Sequence, residues 1–470
     1  MIRHPAAGPE RPRRIRRTAW ACLFAVLAFP ATAAPHDASA LSIARPRVSV
    51  GVTSAHPDTL EFAPAPPDED EESPDSTRIV WTDEESIDEP PPSHHDWQSL
   101  PHTPYGEHIL MDADEWLWRR GDNHAGGLRV DYNRVDQLRI GISGQIDPQR
   151  DLLPRIGALA EFSDGRDRWL YGVQLEQPLA PRGLFSIGGS MARLTEHNEL
   201  QQTPDWENSL ALLFARQDYR DYFEREGYGG YVSSRLGDLT TLSVHLRQDQ
   251  WRSVELRPGT VSWFNTGVPL RDNPPIDDGE TRTVTVRLER LTRRLSSPRA
   301  GLYHWISFET AGGSLGGDFK YTRGLADLRG VIRLSPATSF ALRALAGTTL
   351  DGTLPRQREF VLGGVDALRA HNFGAFHGDQ AVLVQGEYSL DLWMLRRGWY
   401  HGGLRVIAFT EAGTAWNNGG QGWDVTRQQL AVDGGFGFAT DDDNLRVYFA
   451  QNFQEPRPDF NVMVRLQRPF

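Results

Sequence analysis

Cysteine is almost missing from this chain. The only one, Cys22, lies inside an N-terminal apolar run, so the sequence beyond it has no disulfide, no reactive thiol and no zinc–thiolate site. Long apolar runs are missing too. The stretch "TAWACLFAVLAF" has 12 residues, too few for a membrane-spanning helix, which needs about 20. No basic patch interrupts a chain of net charge −12, which argues against nucleic-acid binding. Catalytic constellations are scarce. His lies near Asp in "HHD" (His94–Asp96) and "HGD" (His377–Asp379), with no serine, cysteine or metal-ligand set around either. The expectation is a protein that is not an enzyme and holds no metal or cofactor.

What is present begins with an export signal. Six arginines precede the apolar run, and "PATAAPHD" follows it with small residues at Ala31, Ala33 and Ala34. Basic, apolar and small-residue sections in that order predict a secretory signal peptide over 1–34. The leader is +5, so the remaining chain is −17. Most of that acidity sits in residues 58–96, with fourteen Asp/Glu and one Arg. Proline-rich and poor in aliphatics, such a segment buries too little apolar surface to offset its ordering entropy. Residues 35–105 therefore read as a disordered periplasmic tether, with "RIVW" (Arg78–Trp81) a candidate docking strand. Residues 106–126 form a short segment ahead of the patterned region, in which "DEWLWRR" (Asp114–Arg120) suits an amphipathic helix.

The rest, 127–470, is rich in glycine and aromatics and patterned with period two. At the C-terminus Phe460, Val462, Val464, Leu466, Arg468 and Phe470 share one face. Asp459, Asn461, Met463, Arg465, Gln467 and Pro469 share the other. A strand with lipid on one side and water on the other requires this alternation. A chain stopping on Phe470, with Val464 and Leu466 on the same face, has the form of a C-terminal barrel signal.

Period-two segments give fifteen candidate strands: 137–145, 154–163, 168–177, 184–194, 227–235, 239–249, 281–292, 301–311, 318–334, 337–347, 380–391, 401–413, 427–439, 443–454 and 459–470. Bacterial single-chain barrels have even strand numbers. Sixteen is the expected total, with "GLRVDYN" (Gly127–Asn133) or a split of 318–334 supplying the last, and fourteen the fallback. The fold class is thus all-β, a transmembrane antiparallel barrel. Residues 203–226 read as an inserted helix, with Thr203 as N-cap, Pro204 in the first turn and Gly227 as the stop.

The loop "FVLGGVDALRAHNFGAF" (Phe360–Phe376) carries one arginine, Arg369, amid glycine and aromatics. Beyond it, Gln385, Glu387 and Ser389 fall on one strand face, and Arg405, Phe409 and Glu411 on another. Both faces should line the lumen. A planar guanidinium suits two carboxylates, so Arg369 is expected to fold inward and anchor the loop on Glu387 and Glu411.

In order and spacing these segments resemble the BamA/TamA superfamily, the bacterial surface antigen barrels of the outer membrane. In that family a loop before the last five strands carries a Val/Leu-Arg-Gly-aromatic motif and tucks into the lumen. The matching residues are Leu368-Arg369 in "LGGVDALRAHNFGAF", preceded by Gly363 and Gly364. The family's Phe-x-Asp-x-Gly wall motif resembles Phe409, Glu411 and Gly413 in "FTEAG", and its glutamate strand resembles Glu387 in "GEYSLDL". Ala370 stands in place of the family glycine, His371 of the aromatic, and Glu411 of the aspartate. Residues 35–105 are too acidic and proline-broken for the family's periplasmic POTRA modules. The resemblance implies an outer-membrane protein that assists insertion or translocation of protein or lipid by opening a seam between its first and last strands. Implied partners are outer-membrane lipids, a client outer-membrane or secreted protein, and the barrel assembly machinery for its own insertion. The rival readings are a passive or plugged porin-like channel or structural barrel and, as a minor one, a barrel enzyme.

Overall fold

The computed structural model describes residues 126–146, 152–181, 184–236, 240–264, 266–291, 301–335, 337–397, 400–418, 425, 428–440, 445–455 and 460–466. The signal peptide, the acidic tether, the "DEWLWRR" segment and Phe470 lie outside the described residues.

Sixteen strands make one antiparallel sheet in sequence order. They are β1 (Gly126–Asn133), β2 (Gln137–Ile146), β3 (Arg155–Ser163), β4 (Arg168–Pro178), β5 (Phe185–His197), β6 (Tyr222–Arg235), β7 (Thr240–Ser253) and β8 (Gly279–Leu291). After β9 (Gly301–Ala311), β10 (Tyr321–Ser335) and β11 (Thr338–Gly352), the chain makes a small two-stranded ladder of β12 (Phe360–Leu362) and β13 (Phe376–Gly378). It then returns to the main sheet through β14 (Gln380–Arg397), β15 (Tyr400–Trp416), β16 (Ala431–Thr440), β17 (Arg446–Asn452) and β18 (Asn461–Arg465). The sixteenth main strand is the N-terminal β1, and the segment around 318–334 remains one strand.

The sheet is inside-out relative to a water-soluble protein. Its buried side is polar: Arg323, Asp327, Arg329, Arg343, Glu387, Arg405, Glu411, Asp433 and Arg446 are all buried. Its outward side is apolar, with Leu128 73% and Ile142 66% exposed. From Tyr321 to Val331 of β10 burial alternates residue by residue, as strand geometry demands of a wall with two unlike faces.

Sequential antiparallel order sends successive connections to alternate ends of the sheet. The three long segments 198–221, 254–278 and 353–379 therefore leave the same end. The last of these packs inward. Leu354, Phe360, Leu362, Ala367 and Leu368 join Tyr321, Leu325, Leu345, Leu383 and Ala415 of the wall in one apolar cluster. Phe360 packs directly against Gly347, where a Cβ would come within 2.6 Å of its ring.

The expected helix over 203–226 is corrected. Only Asp205–Leu210 is α-helical (α1), followed by a π-helical turn over Ala211–Ala215. The stop is Arg216, in the left-handed region at φ 60°, and not Gly227, which lies within β6. Thr203 does not cap the helix. Its hydroxyl lies 3.2 Å from Asp366, and the N-cap position is Pro204. Tyr222–Arg235 is strand because tertiary pairing with β5 and β7 overrides the local helical pattern.

Candidate functional site: a buried loop anchor beside an unjoined seam

All but one of the 50 basic residues are arginine, and the lumen uses their fork geometry. Arg369 sits in the loop between β12 and β13, with 1% of its side chain exposed. Its Nη2 lies 2.6 Å from Glu387 Oε1 on β14, and its Nε 2.9 Å from Glu411 Oε1 on β15. Its backbone N–H donates to Glu411 Oε2 at 2.8 Å. The guanidinium lies against the rings of Phe409 and Tyr448, 4.4 Å from each centroid, and the two rings meet edge-to-face. Burial alone would lower its pKa, but Glu411 and Glu387 outweigh that and push it above the ordinary arginine value.

The cradle extends beyond the residues singled out in the sequence. Asp433 of β16 accepts from the Ala370 N–H at 2.8 Å and faces His371 Nδ1 at 3.1 Å. Arg446 of β17 pairs with Glu387 at 3.3 Å and donates to the Tyr448 hydroxyl at 2.8 Å. Gln385 donates to Glu411 at 2.9 Å and accepts from Arg343 at 3.1 Å. Asp433, Arg446 and Tyr448 carried no usable signal in the sequence. Each is one more polar or aromatic residue on an inward face, and only the folded loop selects them.

Backbone geometry assigns the glycines. Gly363 and Gly364 have φ of 109° and 103°, which a side chain adopts only under strain. A Cβ on Gly413 would meet the Val382 carbonyl at 2.6 Å. The left-handed position beside the arginine is Leu368, at φ 53°, so Ala370 in place of the family glycine meets no such demand. Val464 lies on the outward face of β18, exposed, and Leu466 is half-buried just beyond it. His377, the residue of the minor enzyme reading, is half-exposed and 3.1 Å from Glu359.

The second feature is the seam. Among the described residues no ladder joins β1 to β18, and β18 has only five residues against eighteen in β14. Helix α1 bonds to both edges. On one side Tyr132 N–H of β1 donates to Ser209 Oγ at 2.8 Å. On the other, Arg465 of β18 reaches Glu207 Oε1 at 2.7 Å, Asp366 Oδ1 at 2.9 Å and the Val365 carbonyl at 3.0 Å. Arg129 of β1, Arg139 of β2 and Arg220 converge on Asp205 at the start of the helix. Beside it lies a cavity of about 400 Å³ lined by Arg129, Arg139, Glu161 and Asp205. Asn461 donates to the Arg369 carbonyl at 2.8 Å, so the seam and the loop anchor share one network.

An apolar outer face, a charged lumen and a loop folded inward define a membrane β-barrel. Residues 278–446 match the Omp85 superfamily domain, and the resemblance to the BamA/TamA barrels holds. The chain is similar to BamA from Haemophilus ducreyi, solved lacking POTRA domains 1–3, with 14% identity over 73% of this chain and 70% of that one and a TM-score of 0.51. It is also similar to CdiB from Escherichia coli, at 13% identity over 73% of this chain and 62% of that one, with a TM-score of 0.44. At such identities the likeness to BamA is one of fold. No curated protein matches the chain. The superfamily match and the fold imply an outer-membrane location.

Proposed function

We propose that this barrel assists insertion or translocation of protein or lipid at the outer membrane by opening the seam between β1 and β18. The observation that carries the proposal is the pair of unjoined edges: among the described residues no hydrogen-bonded ladder joins β1 to β18, and helix α1 bonds to both strands. An unpaired edge strand is a template for an incoming strand. The folded-in loop occupies the lumen and is fixed there by Arg369, which favours a lateral route over an open pore. The signal peptide, expected from residues 1–34, would deliver the chain to the periplasm, where the barrel assembly machinery would insert it. The chemistry is mechanical, with no covalent step assigned to any residue.

The test is a disulfide lock in a Cys22→Ser background. Cysteines at Val130 and at Val462 or Val464 are oxidised, and locking is read by gel shift beside a liposome-insertion assay. Lock formation with loss of insertion is the expected result. A formed lock with insertion intact overturns the seam mechanism and returns the protein to the plugged-channel or scaffold reading.

A further inference from the structure

Three large aromatic side chains stand exposed on the long connections at one end of the sheet. Phe214 is 44% exposed, Trp263 61% and Phe264 62%. They come from different connections, 198–221 and 254–278, yet they form one tip. Phe214 meets Trp263 edge-to-face at 4.7 Å and stacks on Phe264 at 6.4 Å. Two bonds hold the connections together: Trp263 N–H donates to the Leu213 carbonyl at 2.6 Å, and the Ser262 hydroxyl to the Leu212 carbonyl at 2.8 Å.

Tyr132 fixes where this tip stands. On β1, Arg129 and Asp131 turn to the charged lumen, whereas Leu128 and Val130 are 73% and 54% exposed on the opposite face. Tyr132 is in phase with Leu128 and Val130, so its ring leaves the outer face. Its hydroxyl accepts from the Val261 N–H at 2.7 Å and donates to the Val261 carbonyl at 3.1 Å. The segment carrying Trp263 and Phe264 therefore lies against the outside of β1 and not over the lumen. It continues the apolar surface of the outer face, beside the unjoined edge, at the end from which the long connections leave. In outer-membrane barrels the long loops are extracellular and aromatics gather at the bilayer interface.

We propose that Phe214, Trp263 and Phe264 form a lipid-contacting tip that enters the acyl region of the outer leaflet next to the seam. An aromatic cluster this exposed is unfavourable in water, and acyl chains are the partner that its continuity with Leu128 and Val130 selects. The proposal rests on the chain spanning a membrane, but not on its transporting anything.

The experiment uses the full chain with Cys22→Ser, refolded into phosphatidylcholine vesicles and labelled with an environment-sensitive fluorophore at Phe264→Cys. Trp263→Cys is read separately, so that poor refolding of one variant leaves the other. Ile142→Cys, 66% exposed on the outer face of β2, is the reference position, and heat-modifiable gel migration reports folding. The expected result is loss of fluorescence at both tip positions with acyl-brominated lipid, comparable to that at Ile142→Cys, and little loss with aqueous iodide. Quenching of Ile142→Cys by lipid while the tip is quenched only by iodide overturns the lipid contact. Lipid quenching at none of the three positions overturns the membrane reading itself, and this inference with it.

Discussion

The barrel is built unevenly, and the contrast lies between its β14–β15 wall and its β1/β18 edges. Strands β14 and β15 run 18 and 17 residues and pair over almost their whole length. They hold Glu387 and Glu411, which pair with Arg369, and Phe409, one of the two aromatic rings against its guanidinium. The edges are short, eight and five residues, and among the described residues they share no ladder. Helix α1 bridges them with a few polar contacts. One region is fixed by buried charge and long backbone ladders. The other is held by bonds that a rearranging helix can release singly. The proposed seam opening would draw on this asymmetry, because backbone ladders break cooperatively whereas side-chain contacts break one at a time.

Mutations should separate the two regions. The largest effect is expected for Arg369→Ala, which strands Glu387 and Glu411 in a buried site. Breaking a buried ion pair from one side costs about 3–5 kcal/mol, so the denaturant midpoint in detergent should fall sharply. A loss below about 1 kcal/mol, the scale of an exposed ion pair, would mean that the lumen hydrates the carboxylates and that the wall owes little to this anchor.

Glu207→Gln comes next. It removes the charged partner of Arg465 while leaving Asp366 in place. A lost charge-assisted hydrogen bond is worth about 1.5–3 kcal/mol. Amide exchange in β18 should quicken while β14 and β15 stay protected. Equal loosening of both regions would erase the distinction drawn between them.

The smallest change is Ser209→Ala. It deletes the acceptor for the Tyr132 N–H at about 1 kcal/mol. The expected readout is faster exchange of the Tyr132 amide alone, with global stability nearly unchanged. If that amide remains protected, the helix does not cap the β1 edge in solution.

Much of the wall was legible because a strand repeats every two residues. Glu387 and Glu411 fell on inward faces by counting, and Gln385 and Arg405 with them. The order of segments then put one glycine-rich loop and its arginine opposite those carboxylates. The insert was misread for a physical reason. Residues 203–226 satisfy a helical pattern locally, yet the helix ends in a π-turn and the left-handed Arg216, and β5 and β7 claim Tyr222–Arg235 for the sheet. Asp433, Tyr448 and Asp366 were missed because nothing local marks a partner that arrives from across a lumen.

By itself the sequence determined the alternation of apolar and polar residues, hence the two unlike faces of the wall, the sixteen-strand expectation and the candidate carboxylates. Periodicity is a local property, and each strand displays it without knowing its neighbours. Only the tertiary structure decided which charges meet, that α1 bonds to both edges, and that Tyr132 draws an aromatic segment onto the outer face. Those contacts join residues as far apart in sequence as Glu207 and Arg465, and their geometry exists only once the fold has brought the helix to β18.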